Sequence, residues 1–170
     1  NTMGRNQDGS WHGDMFDGLG YVKAIESKGF ALQGKKALLV GAGGAGSAIA
    51  HSLVLAGVQE LAIHDENTER RESLIQRLNS LQQGRVYGGS ANPTGFDIAI
   101  NATPVGMGEK DPSPIELDAI TPDMFVGCVI TVPAVPPLIA AARAKGCKTT
   151  TGADMFVQVR ELMVAFLLEA

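Results

Sequence analysis

One glycine run, set between two apolar segments, constrains this chain more than any other feature. Ala37-Leu38-Leu39-Val40 is an unbroken hydrophobic stretch, as in a strand buried on both faces of a parallel sheet. It leads directly into Gly41-Ala42-Gly43-Gly44-Ala45-Gly46. A helical pattern follows, with Ala48, Ile49, Leu53, Val54 and Leu55, and it stops at Gly57. The spacing is G-x-G-x-x-G inside a strand-loop-helix unit. Gly41 permits the tight turn, Gly43 lets the backbone approach a pyrophosphate, and Gly46 allows close helix–strand packing. A phosphate at that point meets free N–H groups and the positive end of the helix dipole. The unit predicts dinucleotide binding on Gly41, Ala42, Gly43, Gly44 and Ala45.

The rest of the chain repeats the same alternation. Glu60 to His64 reads as a second strand and Asn67 to Gln82 as a charged amphipathic helix. Arg85 to Tyr87, Phe96 to Ile100, Val126 to Thr131 and Lys148 to Thr151 read as further strands. Pro136 to Lys145 is a helix with proline at its start, and 154–169 is a closing helix. Strand and helix in turn imply a parallel sheet with right-handed crossovers, an α/β doubly wound domain. Ahead of it, Asn1 to Asp14 reads as a hairpin turning at Asp8-Gly9. A lone hairpin is marginal in water, so it is expected to pack on something else. A linker helix over 17–31 follows, with Asp17 as its N-cap.

Composition removes several functions. The 170 residues carry a net charge of −4, which argues against a nucleic-acid or membrane-surface partner. No apolar run reaches the roughly 18 residues of a membrane span. Two cysteines, Cys128 and Cys147, make no disulfide scaffold and read as buried small hydrophobes. A reducing cytoplasm is the expected compartment. The 21 glycines, about 12% against the usual roughly 7%, punctuate the sequence and form no repeat.

Three further positions carry chemistry. Asp65 ends the second strand, 19 residues past Gly46, where an acidic side chain can bond the adenine ribose hydroxyls. Asp65 and Glu66 together would repel a 2′-phosphate, which favours NAD over NADP, although Arg70 and Arg71 lie a turn further on. Asn101 and Thr103, just past the fourth strand, stand where ligands bind in open α/β sheets, and Met107 continues that loop. His64 reads as structural, His12 and His51 have no evident partner, and the charges from Glu66 to Arg77 read as a solvated helix face.

Several of these segments resemble one family. Asn1-Thr2, Asp8-Gly9 and Gly13 to Gly20 are similar to the "NT…DG…GDNTDGxG" segment of the shikimate dehydrogenases. Gly41 to Ala45 resembles their "GAGGA" loop and Asn101 to Met107 their "NATSxGM". Pro133 to Leu138 resembles "PxxTPLL", and Gly152 to Phe166 the closing "GxxMLxxQ…F" helix. The resemblance implies a Rossmann-like cofactor domain over 17–170, with 1–16 left from an N-terminal substrate domain that holds the catalytic lysine. It implies hydride transfer between NAD(P) and a cyclic hydroxy acid, shikimate or quinate. It places the catalytic aspartate on Asp17 and a substrate-binding asparagine on Asn1. The cofactor loops fall on Gly41, Gly43 and Gly44 and on Asn101, Thr103 and Met107.

The departures from the pattern point to a paralogue. Met15-Phe16 replaces a polar Asn-Thr, and Asp65-Glu66-Asn67 replaces the "NRT" that favours NADP. Cys128 and Thr131 stand where the fifth strand carries aspartate and tyrosine. The substrate glutamine position holds Val159, with Gln158 one residue earlier; Gln158 serves only if the helix start is shifted. A non-catalytic or regulatory nucleotide-binding module and a methyltransferase-type domain are the alternatives. The unpaired edge of the hairpin is expected to favour a homodimer.

Overall fold

A computed structural model describes residues 1–108 and 110–168. Two sheets are present. A short antiparallel hairpin, β1 (Thr2–Arg5) and β2 (Trp11–Asp14), stands apart from a six-stranded parallel sheet. The large sheet is built from β3 (Lys36–Val40), β4 (Glu60–His64), β5 (Arg85–Gly88), β6 (Ile98–Asn101), β7 (Phe125–Cys128) and β8 (Lys148–Thr150). Its order is β5-β4-β3-β6-β7-β8. Counted within the sheet this is 3-2-1-4-5-6, the Rossmann arrangement of a doubly wound fold. The winding reverses between β3 and β6, and a crevice opens at their carboxyl ends.

The helices are α1 (Asp17–Ser27), α2 (Gly44–Leu55), α3 (Thr68–Asn79), α4 (Pro137–Ala144) and α5 (Gly152–Leu168). Period-two alternation in the strands divides the core in two. Leu39, Ile63, Ile100 and Phe125 face α1, α2, α3 and α5. Leu38, Val40, Val126 and Cys128 face Leu138, Ile139 and Ala142 of α4. All eight strand residues are at most 5% exposed, and a fully buried side chain of this size contributes about 1.5–3 kcal/mol. The continuous apolar reading of Ala37 to Val40 follows from this two-sided burial.

Some boundaries differ from expectation. The linker helix ends at Ser27, not at residue 31, because Gly29 adopts φ +72 and Leu32 turns into the core. Asp17 is not the cap of α1. Phe16 holds that position, and Asp17 is the first helical residue. Asn67 caps α3, its side chain accepting from the Arg70 N–H at 2.9 Å, so the helix starts at Thr68. The closing helix starts two residues early, at Gly152; residue 169 of the expected 154–169 lies outside the described residues. β7 ends at Cys128 rather than Thr131.

The hairpin turns as its sequence implied. Gly9 has φ +87, and Asp8 Oδ1 accepts from the Ser10 N–H and hydroxyl. The hairpin rests against the closing helix, with the rings of His12 and Phe16 at 5.0 and 5.5 Å from that of Phe166. No helix among the described residues is long and apolar enough to cross a membrane, and none of them form a metal-ligating cluster.

Candidate functional site

The glycine loop occupies the crevice at the winding reversal. Gly41 follows β3 with φ +106, a conformation that L side chains rarely adopt. A Cβ there would stand 2.8 Å from Thr103 Cγ2 and 2.9 Å from the Ala102 carbonyl, so the loop after β3 lies directly on the loop after β6. A Cβ at Gly46 would overlap the Gly41 carbonyl oxygen. Gly46 therefore sets how closely α2 approaches its own strand. Gly43 and Gly44 are different, since a Cβ at either meets nothing within 4 Å. Their open side is the face a ligand would use. Gly43 caps α2, and no side chain bonds the first turn, which leaves the early N–H groups of α2 without an intrahelical or side-chain acceptor.

Asp65 braces this loop from β4. Its Oδ2 accepts from the Ala42 N–H at 2.7 Å. Its Oδ1 accepts from the Asn67 N–H at 2.8 Å and from Arg70 Nη2 at 2.7 Å. The side chain is 4% exposed. Burial alone would raise this carboxyl, but the Arg70 guanidinium and the N–H groups of Ala42 and Asn67 outweigh it and hold the group below its ordinary value. Arg70 thus pairs with Asp65, while Arg71 pairs with Glu72 at 2.9 Å.

The loop after β6 is organised from within. Asn101 is fully buried at the end of β6. Its Nδ2 donates to the Val105 carbonyl at 3.0 Å, and its Oδ1 accepts from the Thr103 N–H and hydroxyl at 3.0 and 2.7 Å. Asn101 shapes the loop, whereas Thr103 is half-buried and Met107 is 55% exposed beside the crevice. Asp111 completes the hub by accepting from the Gly108 and Gly106 N–H groups, both at 2.9 Å, and these bonds keep its carboxyl low. Beneath the loop lies a cavity of about 170 Å³ bounded by Asn101, Asp111, Cys128 and Pro136. Burial pushes the Cys128 thiol up. Sequence reasoning missed Asp111, although its place before Pro112 in a glycine-rich turn is a signal.

Asp17 and Asn1 come together. Asn1 Nδ2 donates to Asp17 Oδ1 at 2.6 Å, and Asn1 Oδ1 accepts from the Phe16 N–H at 3.0 Å. One amide therefore ties the hairpin to the carboxylate that opens α1. Gln158 is half-buried on α5, and the neighbouring Val159 is turned inward, buried against Gly20 of α1.

No family model matches the chain. A curated shikimate dehydrogenase (NADP(+)) from Staphylococcus aureus is 34% identical over 151 residues, which are 89% of this chain and 55% of that protein. The chain is related to the shikimate dehydrogenases. It spans about half the length of the curated relatives it matches. Solved structures share the fold. The quinate dehydrogenase of Corynebacterium glutamicum, in complex with NAD, superposes with a TM-score of 0.85 at 30% identity, over 96% of this chain and 61% of that one. The 5-ketofructose reductase of Gluconobacter sp. strain CHM43 gives 0.87 at 29% identity, over 99% and 62%. Like these relatives, the chain has a Rossmann-like α/β fold.

Proposed function

We propose that this chain is the cofactor half of a dehydrogenase that moves hydride between NAD(P) and a cyclic hydroxy acid. The pairs envisaged are shikimate with 3-dehydroshikimate, or quinate with 3-dehydroquinate. One observation carries the reading: an Asn1-held Asp17 carboxylate opens a helix that packs on Ala48 and Ser52 of α2, the helix of the glycine loop. A proton-handling group and a dinucleotide cradle are thereby parts of one rigid assembly.

The residues fit the cofactor. The uncapped N-terminus of α2 and the open faces of Gly43 and Gly44 suit a pyrophosphate. Asp65 holds the Ala42 N–H and supplies negative charge at the ribose end. Thr103 and Met107 border the nicotinamide end. When bound, the cofactor supplies or accepts the hydride. Asp17 takes up or returns the hydroxyl proton of the substrate, with a lysine from the N-terminal half as its partner. Asn1 orients Asp17 and meets the substrate, and Gln158 offers its amide from α5.

NAD is the preferred cofactor in this proposal, because Asp65 and Glu66 disfavour a 2′-phosphate and Arg70 is already engaged with Asp65. The S. aureus relative carries NADP(+) in its name and the C. glutamicum structure holds NAD, so both must be tested. The hairpin over 1–16 belongs, in this reading, to a substrate domain of the whole protein, and its exposed Met3, Trp11 and Met15 suit that burial. Its open edges support a homodimer.

The test is the specificity constant of the whole protein on shikimate and quinate with NAD and NADP, with 5-ketofructose as a further substrate. No turnover of either acid refutes the substrate assignment, and a clear NADP advantage refutes the cofactor preference. The 170-residue chain alone should bind NADH and turn over nothing. A regulatory module is the second reading, favoured by apolar Met15 and Val159 at positions where substrate contacts are expected. A whole protein that binds cofactor and never turns over would select it.

A further inference from the structure

Two buried glycines of α1 have no role in the chemistry described so far. Gly18 and Gly20 follow Asp17 at once, and both face other helices. A Cβ at Gly18 would overlap the Ala48 carbonyl oxygen and the Ser52 hydroxyl of α2. A Cβ at Gly20 would stand 2.5 Å from Val159 Cγ2 and 3.0 Å from the Val159 nitrogen of α5. Residues two apart on a helix point about 200° away from each other at 3.6 residues per turn. The two contacts therefore grip opposite flanks of α1, at the turn that carries Asp17. Lys28 Nζ adds a 2.8 Å ion pair to Asp154 at the far end of α1, again toward α5.

Each neighbour has its own link to the site. Ala48 lies four residues past Gly44, within the first turns of the helix that receives the cofactor. Val159 is adjacent to Gln158. α2 is itself fixed, because Gly46 presses on the Gly41 carbonyl and Ser47 Oγ donates to the Ala42 carbonyl at 3.1 Å. When a methyl group is forced between α1 and either neighbour, α1 is the element that yields.

We propose that Gly18 and Gly20 are positioning residues: they clamp α1 between α2 and α5 and so set the distance from the Asp17 carboxylate to the cofactor and to Gln158. The inference rests on the dehydrogenase reading above. It predicts a split between chemistry and binding. Widening the clamp displaces the carboxylate by roughly 1 Å, a shift that costs about 100-fold in turnover. The glycine loop is untouched, so the affinity for NADH stays the same.

The experiment uses the whole protein with Gly20→Ala, Gly18→Ala and the pair Gly20→Ala/Val159→Ala. The dissociation constant for NADH is read by fluorescence, and kcat on the preferred hydroxy acid by absorbance. Gly20→Ala should lower kcat about 100-fold with NADH affinity within about twofold. Trimming Val159 removes the nearest atom, so the pair should regain at least tenfold in kcat. Gly18→Ala should not be rescued by Ser52→Ala, because its obstacle is a backbone carbonyl. Should Gly18→Ala fail to fold, Gly20→Ala and its rescue decide alone. An unchanged kcat in Gly20→Ala, or a parallel loss of NADH affinity, overturns the clamp while leaving the dehydrogenase reading intact. A wild-type protein without turnover on any hydroxy acid overturns both.

Discussion

Replacing Gly127 by alanine should destabilise the fold, and removing one distant oxygen should undo most of the damage. Gly127 is buried in β7, between β6 and β8. An added Cβ would overlap the hydroxyl of Tyr21, which reaches in from α1, and would stand 3.2 Å from both Tyr21 Cζ and Thr150 Cγ2. Overpacking of this kind costs about 1–3 kcal/mol. Tyr21 is 0% exposed, and its hydroxyl finds no hydrogen-bond partner among the described residues. A buried unpaired hydroxyl costs about 1–3 kcal/mol, so Tyr21→Phe should be neutral or stabilising by up to about 1 kcal/mol once the small void is counted. In the double variant the overlapping oxygen is gone and the remaining 3.2 Å contacts relax by tenths of an ångström. The double-mutant cycle should therefore show about 2 kcal/mol of favourable coupling. Urea unfolding followed by circular dichroism measures it, and the Tm should recover by roughly 4–8 °C between Gly127→Ala and the double variant. A cost above about 1 kcal/mol for Tyr21→Phe alone, or a double variant as unstable as Gly127→Ala, would rule out this packing conflict.

The two kinds of glycine in the nucleotide loop should separate in the same way. Gly43→Ala should fold normally and weaken NADH binding at least about tenfold, roughly 1.4 kcal/mol, whereas Gly46→Ala should lose stability first; paired titration and melting curves distinguish them. Asp65, Asp111 and Asp154 all have carboxyls held below their ordinary value. For a depressed carboxyl the unfolded state binds more protons, so the stabilisation is complete at neutral pH and is lost as pH falls below about 4. Tm should be flat from neutrality down to mildly acidic pH, and the acid-side slope should be shallower in Asp65→Asn. Burial raises the Cys128 thiol, and burial likewise raises that of Cys147, so iodoacetamide should modify neither in the native chain at pH 7.5 and both once urea unfolds it; rapid native labelling would contradict the packing.

The sheet was legible in the sequence because its strands are buried on both faces, and unbroken apolar runs such as Ala37 to Val40 leave little choice. The glycine loop was legible from its spacing and context, with Gly41 and Gly46 answering steric demands of the fold and Gly43 and Gly44 leaving an open face. The misread ends have local causes. Asp17 resembles a cap by residue type, yet its carboxylate is drawn toward the Asn1 amide, a partner 16 residues away that no window reveals. Val126 to Thr131 reads as one strand, but pairing with β8 stops at Gly127. Asn101 and Asp65 were found as polar residues at strand ends; Asn101 spends its bonds on its own loop, whereas the bond of Asp65 to the Ala42 N–H is a tertiary contact across 23 residues of sequence.

The hub built by Asn101 and Asp111 has a thermodynamic consequence. The loop after β6 holds its shape through four side-chain bonds from Asn101 and Asp111 to the Thr103 N–H, the Val105 carbonyl and the Gly106 and Gly108 N–H groups. A ligand entering beside it meets a wall that is already rigid and forfeits little chain entropy on arrival. Preorganisation of this kind raises affinity by cutting the ordering cost. The Thr103 hydroxyl is part of the same network, donating to Asn101 Oδ1 and accepting from the Val105 N–H, so a change at Thr103 would loosen the wall, whereas the exposed Met107 side chain can vary without disturbing these bonds.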